Sequence, residues 1–260
     1  ESALKRNPRP LQLHKLLAAV ELKAERYDAL RTELMRLAEL DPGDAETHLN
    51  LAFLEVSQRR YSRAIPHLEN FLRLKPQDAQ GHLLLGRSHL NLNRPLEAET
   101  ELRKAIGLDP HLPMAHHDLA FALQTMGKRG EALEAFRKEI EVNPTFGGAY
   151  LRAGIIELER NRLAEATEFL NQAVARLPED ASAHFALGRC YLMDKKPELA
   201  QAEFRKALAL DPKLLRAHYN LGKALLALGQ NEEAGREFKM FSDLLARSRA
   251  SQGGASASSD

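Results

Sequence analysis

The chain has 260 residues, 44% hydrophobic and 28% charged, enough apolar side chain to build a core under a polar surface, which excludes disorder throughout. Lys plus Arg (37) nearly balances Asp plus Glu (36), so the basic excess expected of a nucleic-acid binder is missing. Cys190 is the single cysteine, which rules out an internal disulfide and a cysteine-built zinc site and leaves it the role of a small buried hydrophobe.

In chain order, residues 1–10 read as an extended leader, in which Lys5, Arg6 and Arg9 accompany no apolar signal-peptide segment. Residues 11–248 then follow a fixed period. Pro42, Pro76, Pro110, Pro144, Pro178 and Pro212 stand 34 residues apart. Counting from three residues after each proline gives repeats that start at 11, 45, 79, 113, 147, 181 and 215. Residues 249–260, rich in Ala, Ser and Gly, read as a flexible tail. Apolar runs stay as short as Leu83–Leu85, so no membrane insertion is expected.

Each repeat predicts two helices. Positions 4, 7, 8 and 11 share one helical face, and positions 20, 24 and 27 share a matching face on a second helix. Position 8 is small throughout (Ala18, Ala52, Gly86, Ala120, Gly154, Gly188, Gly222), and position 20 is Ala in every repeat but the first. Small residues there let two backbones approach, while Leu at 7 and Leu or Phe at 24 fill the surrounding space. Asn93, Gly127, Asn161 and Gly229 near position 15 suit a left-handed helix end. The proline at position 32 ends the second helix, because the residue before it is pushed out of helical geometry.

A bulky residue at 4, Leu at 7, Gly or Ala at 8, Ala at 20, a large residue at 24 and Pro at 32 resemble the tetratricopeptide repeat, over residues 11 to about 248. The resemblance implies an all-α, right-handed superhelical solenoid of about seven helix-turn-helix repeats. Three departures stand out: Leu30 at position 20 of the first repeat, Ala246 in place of the last proline, and Glu139 at position 27 of the fourth. Atypical terminal repeats are expected, because end units cap the stack.

Ten histidines raise a metal reading, but His14, His48, His82, His116, His184 and His218 all fall at position 4 of different repeats. Successive helices lie about 8–10 Å apart, whereas ligands must each sit about 2 Å from a shared zinc. These side chains are expected to pack, not chelate. No phosphate loop, Gly-x-Ser-x-Gly elbow or Cys-x-x-Cys is present. The sequence therefore predicts a protein that is not an enzyme and needs no cofactor and no metal.

The resemblance also implies that first helices line a concave surface through positions 2, 5, 9 and 12, with 6 and 13 at its edges. Positions 5 read Leu49, Leu83, His117, Leu151, Phe185 and Tyr219 from the second repeat on; positions 9 read Phe53, Arg87, Phe121, Ile155, Arg189 and Lys223. Asn50 and Asn220 at position 6 could bond a partner's backbone. Arg152, Arg189, Arg216 and Lys223 gather in the last three repeats, which suits an acidic stretch beside apolar anchors. Two sub-types of the family fit poorly. The carboxylate clamp finds Lys15 and Asn50 but meets Ala19, Gln80 and Leu84, and the asparagine ladder matches only at Asn50 and Asn220.

The expected partner is thus a protein or peptide segment, not nucleic acid: pentatricopeptide RNA binders are basic, and this array is near neutral. An accessory module of a larger enzyme or assembly is the alternative. Leu11, Leu13, Leu16, Leu17, Val20 and Leu22 in the opening helix, and Phe238, Met240, Phe241, Leu244 and Leu245 in the closing one, predict, if both outer faces are exposed, end-to-end self-association or docking onto missing upstream sequence.

Overall fold

A computed structural model describes residues 8–255, and among these there are fourteen helices and no strand. They lie in two compact units that divide after Val142. The first holds four antiparallel pairs: α1 (Pro8–Lys23) with α2 (Tyr27–Leu40), α3 (Ala45–Ser57) with α4 (Tyr61–Leu74), α5 (Ala79–Asn91) with α6 (Pro95–Leu108), and α7 (Ala115–Thr125) with α8 (Arg129–Val142). The second holds α9 (Gly147–Glu159) with α10 (Leu163–Arg176), α11 (Ala181–Met193) with α12 (Pro197–Leu210), and α13 (Leu215–Ala227) with α14 (Asn231–Ala255). Helix α1 starts inside the stretch read as a leader, and α14 runs on through part of the expected tail. Residues 1–7 and 256–260 of those two segments lie outside the described residues.

The pairs close where the small residues stand. Ala64, Ala98, Ala132, Ala166, Ala200 and Ala234 are fully buried. A Cβ added to Gly86 would come 2.6 Å from Leu102, and one added to Gly188 would come 2.7 Å from the Phe204 ring. The turn inside each repeat passes through a left-handed residue, at Glu25, Arg59, Asn93, Gly127, Asn161, Lys195 and Gly229. The same position is left-handed in all seven, so Glu25, Arg59 and Lys195 adopt a conformation that costs an L-residue about 1–2 kcal/mol. The surrounding packing imposes it.

The histidine column packs, as expected, and also carries a hydrogen-bond system that the sequence reading missed. Nε2 of His48, His82, His116, His184 and His218 lies 3.0–3.3 Å from the carbonyl of the proline six residues earlier. Tyr150 donates its hydroxyl to Pro144 in the same way. On the other side of the ring, Nδ1 of His82, His184 and His218 meets Glu101, Glu203 and Glu237 at 2.6 Å, and His14 meets Glu33. Each such histidine ties its own second helix, and from His82 onward also the preceding proline turn. The signal was legible: a glutamate stands nineteen residues after these histidines, and where Tyr150 replaces histidine, Phe169 replaces the glutamate.

Helix starts explain another departure. Asp44, Asp78 and Asp180 cap α3, α5 and α11 through their side chains. Helix α7 lacks such a residue; Met114 before it is left-handed, with φ 70°. There Glu139 substitutes from α8, fully buried, accepting the Met114 N–H at 2.9 Å and the His117 N–H at 3.2 Å. A carboxylate on two unpaired N–H groups at a helix N-terminus compensates for its burial.

Glu139→Ala should therefore destabilise the fold by about 2 kcal/mol, because it leaves two buried donors without acceptors; urea unfolding measures the loss, and Glu139→Gln should lose less. Glu101 gives a pH test. Burial raises its pKa, but hydrogen bonds to Lys104 and His82 outweigh burial and hold the carboxyl below the ordinary glutamate range. A lowered carboxyl stabilises the fold above that range and loses its contribution as pH falls through the lowered value. Glu101→Gln should unfold at lower urea than the parent at neutral pH, and the gap should close in acid.

Candidate functional site

In the first unit, the exposed side of α3 and α7 presents Phe53 and Phe121, which remain 42% and 41% exposed, with Asn50 beside Phe53. An apolar cleft of about 680 Å³ opens between α1, α2 and α3, walled by Ala18, Leu22, Leu30, Leu34, Phe53 and Leu54. Leu30, one of its walls, stands where later repeats have Ala. Lys15 and Asp44 meet at 3.2 Å on the rim. Burial raises the pKa of Asp44, but the bonds from Thr47 and Lys15 prevail and keep it below the usual aspartate range.

Other predicted residues of this unit are already engaged. Leu83 is only 2% exposed and belongs to the packing between helices, so it drops out of the surface. Leu49 is half-buried against the core around Leu68 and Leu84. Arg87 donates from Nε to Asp118 at 2.7 Å, and the His117 ring approaches the other Asp118 oxygen at 3.1 Å. Asp118 organises both and was not among the expected site residues; its position 6 lies three residues earlier in its repeat than that of Arg87 in the repeat before.

In the second unit, Leu151 is 8% exposed and is likewise a packing residue. Ile155 and Phe185 are half-buried, with the Phe185 ring 5.9 Å from that of Phe204. The Arg189 guanidinium stands 5.9 Å from the Phe185 centroid, and Lys223 Nζ 5.8 Å from that of Tyr219, both within cation–π range. Tyr219 is 44% exposed. Together with Leu215, Arg216, Asn220 and Phe241 it lines a shallow pocket of about 440 Å³. Asn220 spends one donor on the Arg216 carbonyl of its own helix, at 2.7 Å. Arg152 on α9 and Lys223 on α13 are exposed. The structure brings Arg216, Tyr219 and Asn220 together and adds Phe241, which the sequence placed on the closing end.

Among the described residues, no group of three or more His, Cys, Asp or Glu is placed to hold a metal, and no helix is long and apolar enough to cross a membrane.

Family models agree with this architecture. The tetratricopeptide repeat model matches residues 49–113 and 117–178, and the model for anaphase-promoting complex, cyclosome, subunit 3 matches residues 159–239. The chain belongs to the tetratricopeptide repeat proteins. Among solved structures it is similar to MamA from Desulfovibrio magneticus RS-1, at 25% identity over 65% of this chain and 96% of that one, with a TM-score of 0.60. YrrB, described as a TPR protein with an unusual peptide-binding site, is 21% identical over 71% of this chain and 95% of its own, with a TM-score of 0.61. A tetratricopeptide repeat protein from Parabacteroides merdae is 17% identical over 91% and 93%, with a TM-score of 0.67. The last two likenesses show the fold alone. No curated protein matches the chain.

Arg87→Ala and Asp118→Ala should each destabilise the first unit, by about 2 kcal/mol for the half-buried charged hydrogen bond. Thermal melting of the two single variants and the double variant checks this. A double variant that loses only as much as either single one identifies a structural pair.

Proposed function

We propose that the protein is an interaction scaffold that takes segments of partner proteins on the exposed faces of its first helices and performs no catalysis of its own. The observation that carries this reading is the exposure of Phe53, Phe121 and Tyr219, each above 40%, on helices whose opposite faces are fully packed. Large aromatic side chains left in water on a repeat surface are the usual anchors of binding energy. The cleft beside Phe53 would accept an apolar side chain, with Asn50 at its edge able to bond a backbone amide. In the second unit, Arg216 and Lys223 beside Tyr219 favour a segment that joins an acidic residue to an apolar one. The peptide-binding site described for YrrB, on the same fold, supports a peptide partner as the class.

Selection of a displayed peptide library on the intact chain, followed by fluorescence anisotropy of the enriched sequences, tests the reading. Phe53→Ala with Phe121→Ala, or Tyr219→Ala alone, should weaken binding by about tenfold or more, since truncating an aromatic anchor costs at least about 1.4 kcal/mol. Helical circular dichroism at the assay temperature should stay unchanged. Affinity unaltered in both variants would move binding away from these faces.

A further inference from the structure

In two repeats the glutamate that meets the histidine at position 4 is also held by a lysine. Glu101, at position 23 of the third repeat, meets Nδ1 of His82 at 2.6 Å through one oxygen and accepts from Lys104, at position 26, at 2.8 Å through the other. Glu203 does the same in the sixth, with His184 at 2.6 Å and Lys206 at 2.8 Å. The fourth repeat keeps both ends of this bridge and lacks its middle: His116 and Lys138 stand at positions 4 and 26, but position 23 is Ala135. Every other repeat has a larger side chain there, Glu33, His67, Glu101, Phe169, Glu203 and Glu237.

The place of the missing glutamate is open. A cavity of about 470 Å³ lies between α6, α7 and α8 and takes in His116, Ala135 and Lys138. Nε2 of His116 keeps its contact with the Pro110 carbonyl, at 3.2 Å, while its Nδ1 meets no acceptor among the described residues. Gly130 adds room, since a Cβ there would find nothing within 4 Å. Ile106, Leu119 and Leu123 supply an apolar wall. The other charges around the space are engaged: Arg103 with Glu99 at 2.8 Å and Glu131 at 3.3 Å, and Glu134 with Arg137 at 3.4 Å. Lys138 lies 2.7 Å from Glu141, an exposed pair one turn apart of the kind that contributes little in water and exchanges readily for another carboxylate.

We propose that this cavity binds a small organic acid, its carboxylate set between Nδ1 of His116 and the ammonium of Lys138 and its apolar body against Ile106, Leu119 and Leu123. The third and sixth repeats show the same two donors closing on a carboxylate. Ala135 lacks only a carboxymethyl group relative to glutamate, and the cavity is larger than that, which leaves space for a body of several carbons. The site uses positions 4, 7 and 11 of α7, on the packing side of that helix and away from the exposed Phe121. That placement favours a free acid over a side chain of a segment docked on the first helices.

Isothermal titration calorimetry of the full chain with hexanoate tests the site, independently of any peptide binding. One saturable site is expected, with a dissociation constant on the order of 1 mM for so small a ligand, and hexanol should give none. His116→Phe, which keeps a bulky ring in the packing, should weaken hexanoate by about tenfold or more through loss of a charged hydrogen bond. Ala135→Glu restores the side chain of the third and sixth repeats; it should abolish the hexanoate site and raise the melting temperature. Failure of hexanoate to saturate, equal binding of hexanol, hexanoate affinity unchanged in His116→Phe or in Ala135→Glu, or a glutamate-containing peptide taking this site where hexanoate does not would each overturn the proposal.

Discussion

The fold depends on one contact repeated along the chain: two helices brought close enough that a side chain larger than methyl does not fit between them. Position 8 of the first helix and position 20 of the second make that contact, and the Leu or Phe at position 24 closes around it. Gly86 against Leu102 and Gly188 against Phe204 show how little room is left. The first repeat departs from this pattern with Leu30, and an apolar cleft lies beside that residue.

A second set of interactions joins one repeat to the next. The histidine at position 4 reaches back to the carbonyl of the preceding proline and, in His82, His184 and His218, forward to a glutamate on its own second helix. The proline thus ends a helix and also presents an acceptor that fixes where the next helix begins. Glu139 solves the related problem at α7, whose start has no capping side chain of its own, by supplying a carboxylate from a neighbouring helix. At His82, His184, His218 and Glu139, polar groups enter the packing layer with their hydrogen bonds made, which is the condition for burying them.

The same first helices serve two purposes on opposite sides, and a given position does not serve the same one in every repeat. Position 5 is buried at Leu83 and Leu151, half-buried at Leu49 and Phe185, and open at Tyr219. Position 9 is open at Phe53 and Phe121 but engaged at Arg87, whose guanidinium is held by Asp118. Helical periodicity assigns a residue to a face; the size and charge of the neighbouring repeat's side chains decide whether that face is reached by solvent. For this reason the sixteen candidate positions chosen by period divide into packing residues, internally paired ones such as Arg87, and exposed aromatic and polar residues.

The sequence by itself determined the helical pairs, their period and their close-packed faces, because steric fit at positions 8, 20 and 24 is a local property repeated in register and proline interrupts helices wherever it stands. Left-handed turn residues at Asn93, Gly127, Asn161 and Gly229 were readable for the same reason. Only the tertiary structure decided that Glu25, Arg59 and Lys195 take that conformation too, that Asp118 holds Arg87, that Glu139 caps α7, and that Phe241 packs beside Tyr219. Each of those outcomes joins residues far apart in the chain or overrides a residue's own preference, and such choices are made by neighbours brought together in space, which a one-dimensional pattern does not specify.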